Sequence, residues 1–179
     1  ATASDSFDII VANTNDAPTL ANPITDQSAT EDAVFSFQFA ANAFADVDVG
    51  DTLTYSTSAL PSWLTFDAAT RTFTGTPLNA DVGTHSITVR ATDLSGAFVE
   101  DPFDIVVANT NDAPTLANPI ADQGAAEDAA LNFQFAANTF DDVDVGDSLT
   151  YTASGVPSWL TFTAGTRTFS GTPLNADVG

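Results

Sequence analysis

The sequence contains no cysteine, no methionine and no lysine; its only basic side chains are Arg71, Arg90, Arg167 and a single histidine, His85. Without cysteine there are no disulfides to staple the chain and no thiolate to act as nucleophile or soft metal ligand, so stability must come from a packed core. The shortage of cations against 24 acidic residues leaves a formal net charge of −21. Nothing in such a chain neutralises phosphate, which excludes nucleic acid and anionic lipid as partners. One histidine without a thiol or lysine offers no triad. The carboxylates sit in repeated polar loops rather than in an apolar pocket that would raise one of a glycosidase pair, so the chain reads as non-enzymatic. Long apolar runs are missing as well. No segment has the length and polarity of a transmembrane helix or a signal peptide, so no membrane insertion is expected, and the sequence reads as a window of a longer exported chain.

What is present is a core and a repeat. With 44% hydrophobic residues and 14 phenylalanines in 179 positions, the chain can bury a substantial apolar interior. Its dense carboxylates repel one another unless solvated or bridged by cations. Residues Asn13 to Gly83 align with Asn109 to Gly179 at an offset of 96, giving 71 gapless positions with 16 mismatches. Such self-similarity is the signature of a tandem array. The same register matches Phe7, Asp8, Ile9 and Val11 with Phe103, Asp104, Ile105 and Val107. Residues 1–12 therefore read as the last strand of a preceding repeat, 13–108 as a complete repeat, and 109–179 as a second repeat truncated before its last two strands. Either the chain continues, or a head-to-tail neighbouring chain supplies a strand such as Phe7 to Val11.

Within one unit the apolar residues alternate, and Gly, Pro, Asn and Asp interrupt them every ~8–12 residues, which predicts an all-β sandwich. Phe35, Phe37 and Phe39 alternate with Ser36 and Gln38 and should share a core face. A first edge strand is expected over Pro18 to Asp26, bent at Pro23, with later strands around Leu53, Leu64, Phe73, Ile87 and Ile105. That makes seven strands in a repeat of about 96 residues, the size class of immunoglobulin-like Greek-key sandwiches. Trp63 and Trp159 lie in PSWLTF, among Leu and Phe just after a proline turn. They are expected as core anchors, the other reading being an exposed platform for sugar rings. His85 is expected to be structural.

The acidic residues fall into recurring groups. NTNDAP occurs at Asn13 to Pro18 and at Asn109 to Pro114, placing several oxygen ligands on a stiff segment. This suits a hard cation held between domains; a plain polar turn is the alternative. The loops AFADVDVGD and TFDDVDVGD supply Asp46, Asp48 and Asp51, and Asp142, Asp144 and Asp147. An Asp-x-Asp pair aims two carboxylates at one ion, and the following glycine permits a sharp turn. Glu31 with Asp32, Asn79 with Asp81, and Asp93 in ATDLSG complete the acidic spots.

The run ATDLSGAFVEDPFDIVVANTNDAP resembles the closing strands and linker of a cadherin repeat. With PSWLTF and FxGTP the whole unit is similar to the bacterial cadherin-like tandem repeats, of dystroglycan-type cadherin-like or Ig-like domains, of large surface or secreted adhesins. The resemblance implies a central calcium junction built from Glu31, Asp81, Asn109, Asn111, Asp112, Asp142 and Asp144. It implies an N-terminal junction using Asn13, Asn15, Asp16, Asp46, Asp48 and Asp93. Asn109 stands where that family's linker has Asp, and Ala113 interrupts the second Asn position, so fewer than three ions per junction are expected. The function implied is a non-catalytic, extracellular calcium-binding repeat in which Ca2+ stiffens the array. Its partners would be adjacent repeats of the same chain, head-to-tail neighbouring chains, and a polysaccharide or cell-surface ligand. The alternative is a polysaccharide-binding module of a secreted bacterial protein.

Overall fold

A computed structural model describes residues 1–179. The chain divides into two compact units, Ala1–Thr110 and Asn111–Gly179. In the first unit the strands are β1 (Thr19–Leu20), β2 (Gln27–Thr30), β3 (Phe35–Gln38), β4 (Phe44–Ala45), β5 (Thr54–Thr57), β6 (Leu64–Asp67), β7 (Thr72–Gly75), β8 (Gly83–Thr92) and β9 (Phe98–Ala108). They form a four-stranded sheet of order β2-β9-β8-β5, a three-stranded sheet of order β3-β7-β6, and a short β1-β4 pair. Residues 1–18 carry no strand.

The alternation seen in the sequence is what closes this sandwich. Along β8, Ile87, Val89 and Ala91 point inward, and along β9, Phe103, Ile105 and Val107 do the same, all nearly inaccessible to solvent. Phe73 on β7 meets Phe103 on β9 with ring centroids 5.6 Å apart, which ties one sheet to the other. Phe66 lies 4.5 Å from Phe73, and Phe39 stacks on Phe66 at 6.1 Å, extending an aromatic spine through the interior. Such ring pairs add specific attraction to the large apolar area each ring removes from water.

The number of strands differs from the expected seven: the first unit has nine. A break at Pro23 and a short additional strand, β4, account for this. The first edge strand does not run through Pro18 to Asp26 but divides around Pro23. β1 pairs antiparallel with β4, while β2 begins at Gln27 and pairs in parallel with β9. Proline lacks the N–H that a continuous ladder needs, so the break falls there. The link between β1 and β2 is pinned instead by Asp101 on β9, an acid buried among inward-facing apolar residues. Its Oδ2 accepts the Ile24 N–H at 2.6 Å. The adjacent Pro102 lies outside Ile105 to Ala108, the part of β9 paired on both sides, so its missing donor is tolerated.

The second unit repeats the smaller sheet and the short pair: β10 (Thr115–Leu116), β11 (Leu131–Gln134), β12 (Phe140–Asp141), β13 (Leu160–Thr163) and β14 (Thr168–Gly171). β11-β14-β13 and β10-β12 reproduce β3-β7-β6 and β1-β4. Residues 123–126 and 150–153, the counterparts of β2 and β5, are not strands. In the first unit those two strands pair only with β9 and β8, which have no counterparts here. Phe135, Tyr151, Phe162 and Phe169 line a cavity of about 430 Å³.

Trp63 packs against the core as expected, edge-on to Phe35 with centroids 6.0 Å apart. His85 sits edge-on to the same indole at 5.8 Å, and its Nε2 lies 2.7 Å from the Asp81 carbonyl oxygen.

Candidate metal centre

β9 runs the length of the first unit, from the turn that carries Asp93 to the end where Glu31 bonds to it. The Glu31 N–H donates to the Ala108 carbonyl, and the Asp93 N–H closes its turn onto the Ala97 carbonyl. Eleven strand residues separate these ends by roughly 35 Å. Each pole gathers acidic groups.

At the Asp93 pole the loop Asp46 to Asp51 folds back on itself. The Asp48 N–H donates to Asp46 Oδ1 at 2.9 Å, the Asp51 N–H donates to the Asp48 carbonyl at 3.2 Å, and Gly50 takes φ 95°, a left-handed conformation that glycine adopts without steric cost. As a result one carboxylate oxygen from each of Asp46, Asp48 and Asp51 lies within 4.8 Å of the others. The preceding link is drawn in: the Asp16 N–H donates to Asp48 Oδ2 at 2.8 Å, and Asn15 Nδ2 donates to Asp93 Oδ2 at 3.0 Å. Asp46 Oδ2 is buried and has no hydrogen-bond donor. A hard, oxygen-seeking cation fits this donor set, because it would satisfy the orphaned oxygen and cancel the mutual repulsion of three carboxylates. Asn13 is exposed on the approach to this pole.

The second unit rebuilds the same loop from its own residues. Asp142, Asp144 and Asp147 again bring three carboxylate oxygens within 4.8 Å. The Asp144 N–H donates to Asp142 Oδ1 at 3.1 Å, Gly146 takes φ 100°, and the Asp112 N–H donates to Asp144 Oδ2 at 2.7 Å. Asn111 turns its amide onto the Asp112 carbonyl at 2.7 Å. Asp144 is only 6% exposed. Asp51 and Asp147 were visible in the loop pattern but stood outside the ligand set that the family resemblance implied; the structure places both carboxylates with the other two.

At the opposite pole of the first unit, Glu31 is 2% exposed. Its Oε1 accepts the Thr110 N–H, while Oε2 is buried without a donor. Asn79 Nδ2 reaches Asn109 Oδ1 at 3.5 Å, and Asp81 Oδ2 accepts the Leu78 N–H at 3.0 Å, so one oxygen of Asp81 is already engaged in its own turn. The uncompensated Glu31 oxygen is the feature here that asks for a cation.

The family model He_PIG, described as "Putative Ig domain", matches residues 17–108 and again 113–179. The chain belongs to this family. Both He_PIG matches leave out residues 109–112, the Asn-rich start of the link. A curated relative, the "Serine-rich adhesin for platelets" of Staphylococcus aureus strain MRSA252, is 36% identical over 124 residues, covering 69% of this chain and 9% of the relative. The corresponding protein of strain USA300 is likewise 36% identical, with 5% of its length covered. This chain thus spans a small part of those relatives. Among solved structures, the protocadherin ectodomain PcdhgB3 EC1-4 aligns over 93% of this chain and 43% of its own, with a TM-score of 0.65 at 20% identity, a likeness of fold. The endo-fucoidan hydrolase MfFcnA4 aligns over 91% of this chain and 25% of its own, with a TM-score of 0.45 at 27% identity.

Two acids at the Asp93 pole of this He_PIG repeat titrate in opposite senses. The Asn15 amide on Asp93 holds its carboxyl below the usual range against the pull of desolvation, helped by backbone N–H groups of the Ala97 turn. Desolvation pushes Asp51 up, and the charges of Asp46, Asp93 and Asp48 add to the push. A depressed pKa stabilises the fold above the unfolded value of about 4 and loses that contribution as pH falls through the folded value. A raised pKa does the reverse: ionised Asp51 is a net liability at neutral pH. In calcium-free buffer at about pH 7, Asp51→Asn is expected to raise the melting temperature and Asp93→Asn to lower it. The Asp51 difference should disappear as pH falls below its raised folded value, and the Asp93 difference only at lower pH, once pH falls through its depressed one. Melting curves across pH check this, and equal shifts of one sign for both variants would contradict it.

Proposed function

We propose that this chain is a non-catalytic, calcium-stiffened repeat of an extracellular bacterial adhesin or surface stalk. The observation that carries the reading is the carboxylate trio Asp46, Asp48 and Asp51, rebuilt as Asp142, Asp144 and Asp147 in the second unit, with a buried donorless oxygen on Asp46. The reading takes Glu31, Asp81 and Asn109 from the first unit, and Asn111, Asp112, Asp142 and Asp144 from the second, as ligands of Ca2+ at the central junction. Asn13, Asn15, Asp16, Asp46, Asp48 and Asp93, with Asp51 added, serve the N-terminal pole. The kinship with an S. aureus adhesin supports the surface role, and the cadherin-like fold fits a chain of sandwiches joined end to end.

The mechanism is electrostatic. A chain with net charge −21 has acidic poles that repel their neighbours; a divalent ion turns that repulsion into a shared bond. With Asn where an Asp would add charge, affinity falls in the weak extracellular range of about 10⁻⁴–10⁻³ M. At free calcium about 100 times the dissociation constant, each site contributes roughly 2.7 kcal/mol, enough to hold a hinge in one state. Small-angle scattering of the 179-residue chain should give a longer, less flexible particle in millimolar calcium than in chelator. Asp142→Asn with Asp144→Asn should remove the difference. Scattering curves that coincide in the two buffers would refute the reading.

A further inference from the structure

The outward face of the β5-β8-β9 surface carries a polar groove that calcium at the poles does not involve. Ser56, Arg90 and Glu100 lie in one row across three neighbouring strands, each opposite the next in register. Together with Thr57, Ser58 and Thr88 they line a depression of about 320 Å³. The cationic and anionic side chains are held in place yet accessible: Arg90 Nε and Nη2 both donate to Glu100 Oε1, at 2.9 and 2.6 Å, while the two side chains remain 45% and 44% exposed. The Arg90 Cζ sits over the Phe98 ring, 3.9 Å from its centroid. Because both N–H groups go to one oxygen, Glu100 Oε2 remains an acceptor for a ligand. Ser58 Oγ accepts the Thr88 N–H at 3.1 Å, so its own O–H is left to donate.

The preceding copy does not share this cluster in sequence. At the offset of 96, Thr2 and Ser4 stand where Phe98 and Glu100 stand here, although the apolar strand positions that follow are preserved. Side chains held on a rigid sheet face are where a repeat can build a site for a ligand.

We propose that this groove binds a neutral carbohydrate. Adjacent sugar hydroxyls each donate and accept, which matches a row of hydroxyls, fixed guanidinium N–H groups and a carboxylate oxygen. The groove is too polar for an apolar side chain. An anionic ligand is disfavoured because Glu100 already compensates Arg90 and the chain carries a charge of −21. Strand-borne, pre-ordered side chains lose little freedom on binding, which favours a shallow site.

Affinity electrophoresis of the 179-residue chain in EDTA, through gels containing galactomannan, xyloglucan or glycogen, tests the proposal. Alginate and polygalacturonate serve as the anionic comparison. At least one neutral polysaccharide should retard the chain, and neither anionic one should. The double variant Phe98→Thr, Glu100→Ser, which installs the residues of the other copy, should bind about tenfold or more weakly with an unchanged melting temperature. If that variant melts early, Glu100→Gln, which keeps the shape and the Arg90 bond, should still weaken binding. No retardation by any neutral polysaccharide, retardation by the anionic ones alone, or equal retardation of the Glu100 variants would overturn it. Working in chelator keeps the outcome independent of the calcium reading.

Discussion

Gly75→Ala is expected to lower the unfolding free energy of the first unit by roughly 3 kcal/mol. A Cβ on Gly75 would stand 2.0 Å from the Trp63 carbonyl oxygen and 3.0 Å from the Trp63 Cε3 atom. The crowding has a local cause. β7 is flanked on both sides, with Gly75 opposite Leu64 of β6 and Phe35 of β3, and the Leu64 N–H closes the Pro61 turn at 3.0 Å, which swings the Trp63 carbonyl over the strand end. Backbone cannot retreat as a flexible side chain can. Gly171 meets Trp159 in the same way at 2.0 Å, so Gly171→Ala should weaken the second unit similarly. Gly165→Ala is the control: nothing lies within 4 Å of its added Cβ, and Ala69 already fills the corresponding position of the first unit. It should change stability by no more than about 0.5 kcal/mol. Urea unfolding of the three variants measures this. A Gly75→Ala chain as stable as the Gly165→Ala chain would show that the turn at Trp63 yields.

Glu31→Gln should change stability in opposite directions with and without calcium. Without the ion, a carboxylate only 2% exposed, with Oε2 lacking any donor, is a buried charge incompletely compensated. Neutralising it while keeping an acceptor for the Thr110 N–H should stabilise the chain by about 1 kcal/mol. In calcium near 100 times the wild-type dissociation constant, the same change removes a ligand and forfeits up to roughly 2.7 kcal/mol. Melting in chelator and in calcium separates the two effects. A loss of similar size in both buffers would make Glu31 a structural acceptor for Thr110 rather than an ion ligand.

The contrast between these residues explains how far the chain can be read without its structure. Gly75 stands in a GTP motif present in both copies, but its collision partner comes from a turn twelve positions earlier and emerges only when β6 and β7 pair. Phe35, Phe39, Phe73, Ile87, Ile105 and Val107 were legible as core, because a strand shows each face at every second residue. The parallel pairing of β2 with β9 was not, and neither was the burial of Asp101 against Ile24, 77 positions away. No local pattern encodes a partner at that distance.

The acidic poles follow the same division. The spacing of Asp46, Asp48 and Asp51 showed which loop is built for oxygen ligands. That the third acid converges with the other two depends on Gly50 and on the N–H groups that fold the loop back, and the donorless oxygens of Asp46 and Glu31 emerge only once their burial is known. What the sequence alone determined is the repeat, its β period, its excess of negative charge and the loops that carry it, since each of these is a property of residues read in order. What only the tertiary structure decided is which carboxylates face one another, which oxygen is left without a donor, and that Arg90 and Glu100 share a groove. Those facts depend on strand register and burial, which bring together residues the chain itself keeps apart.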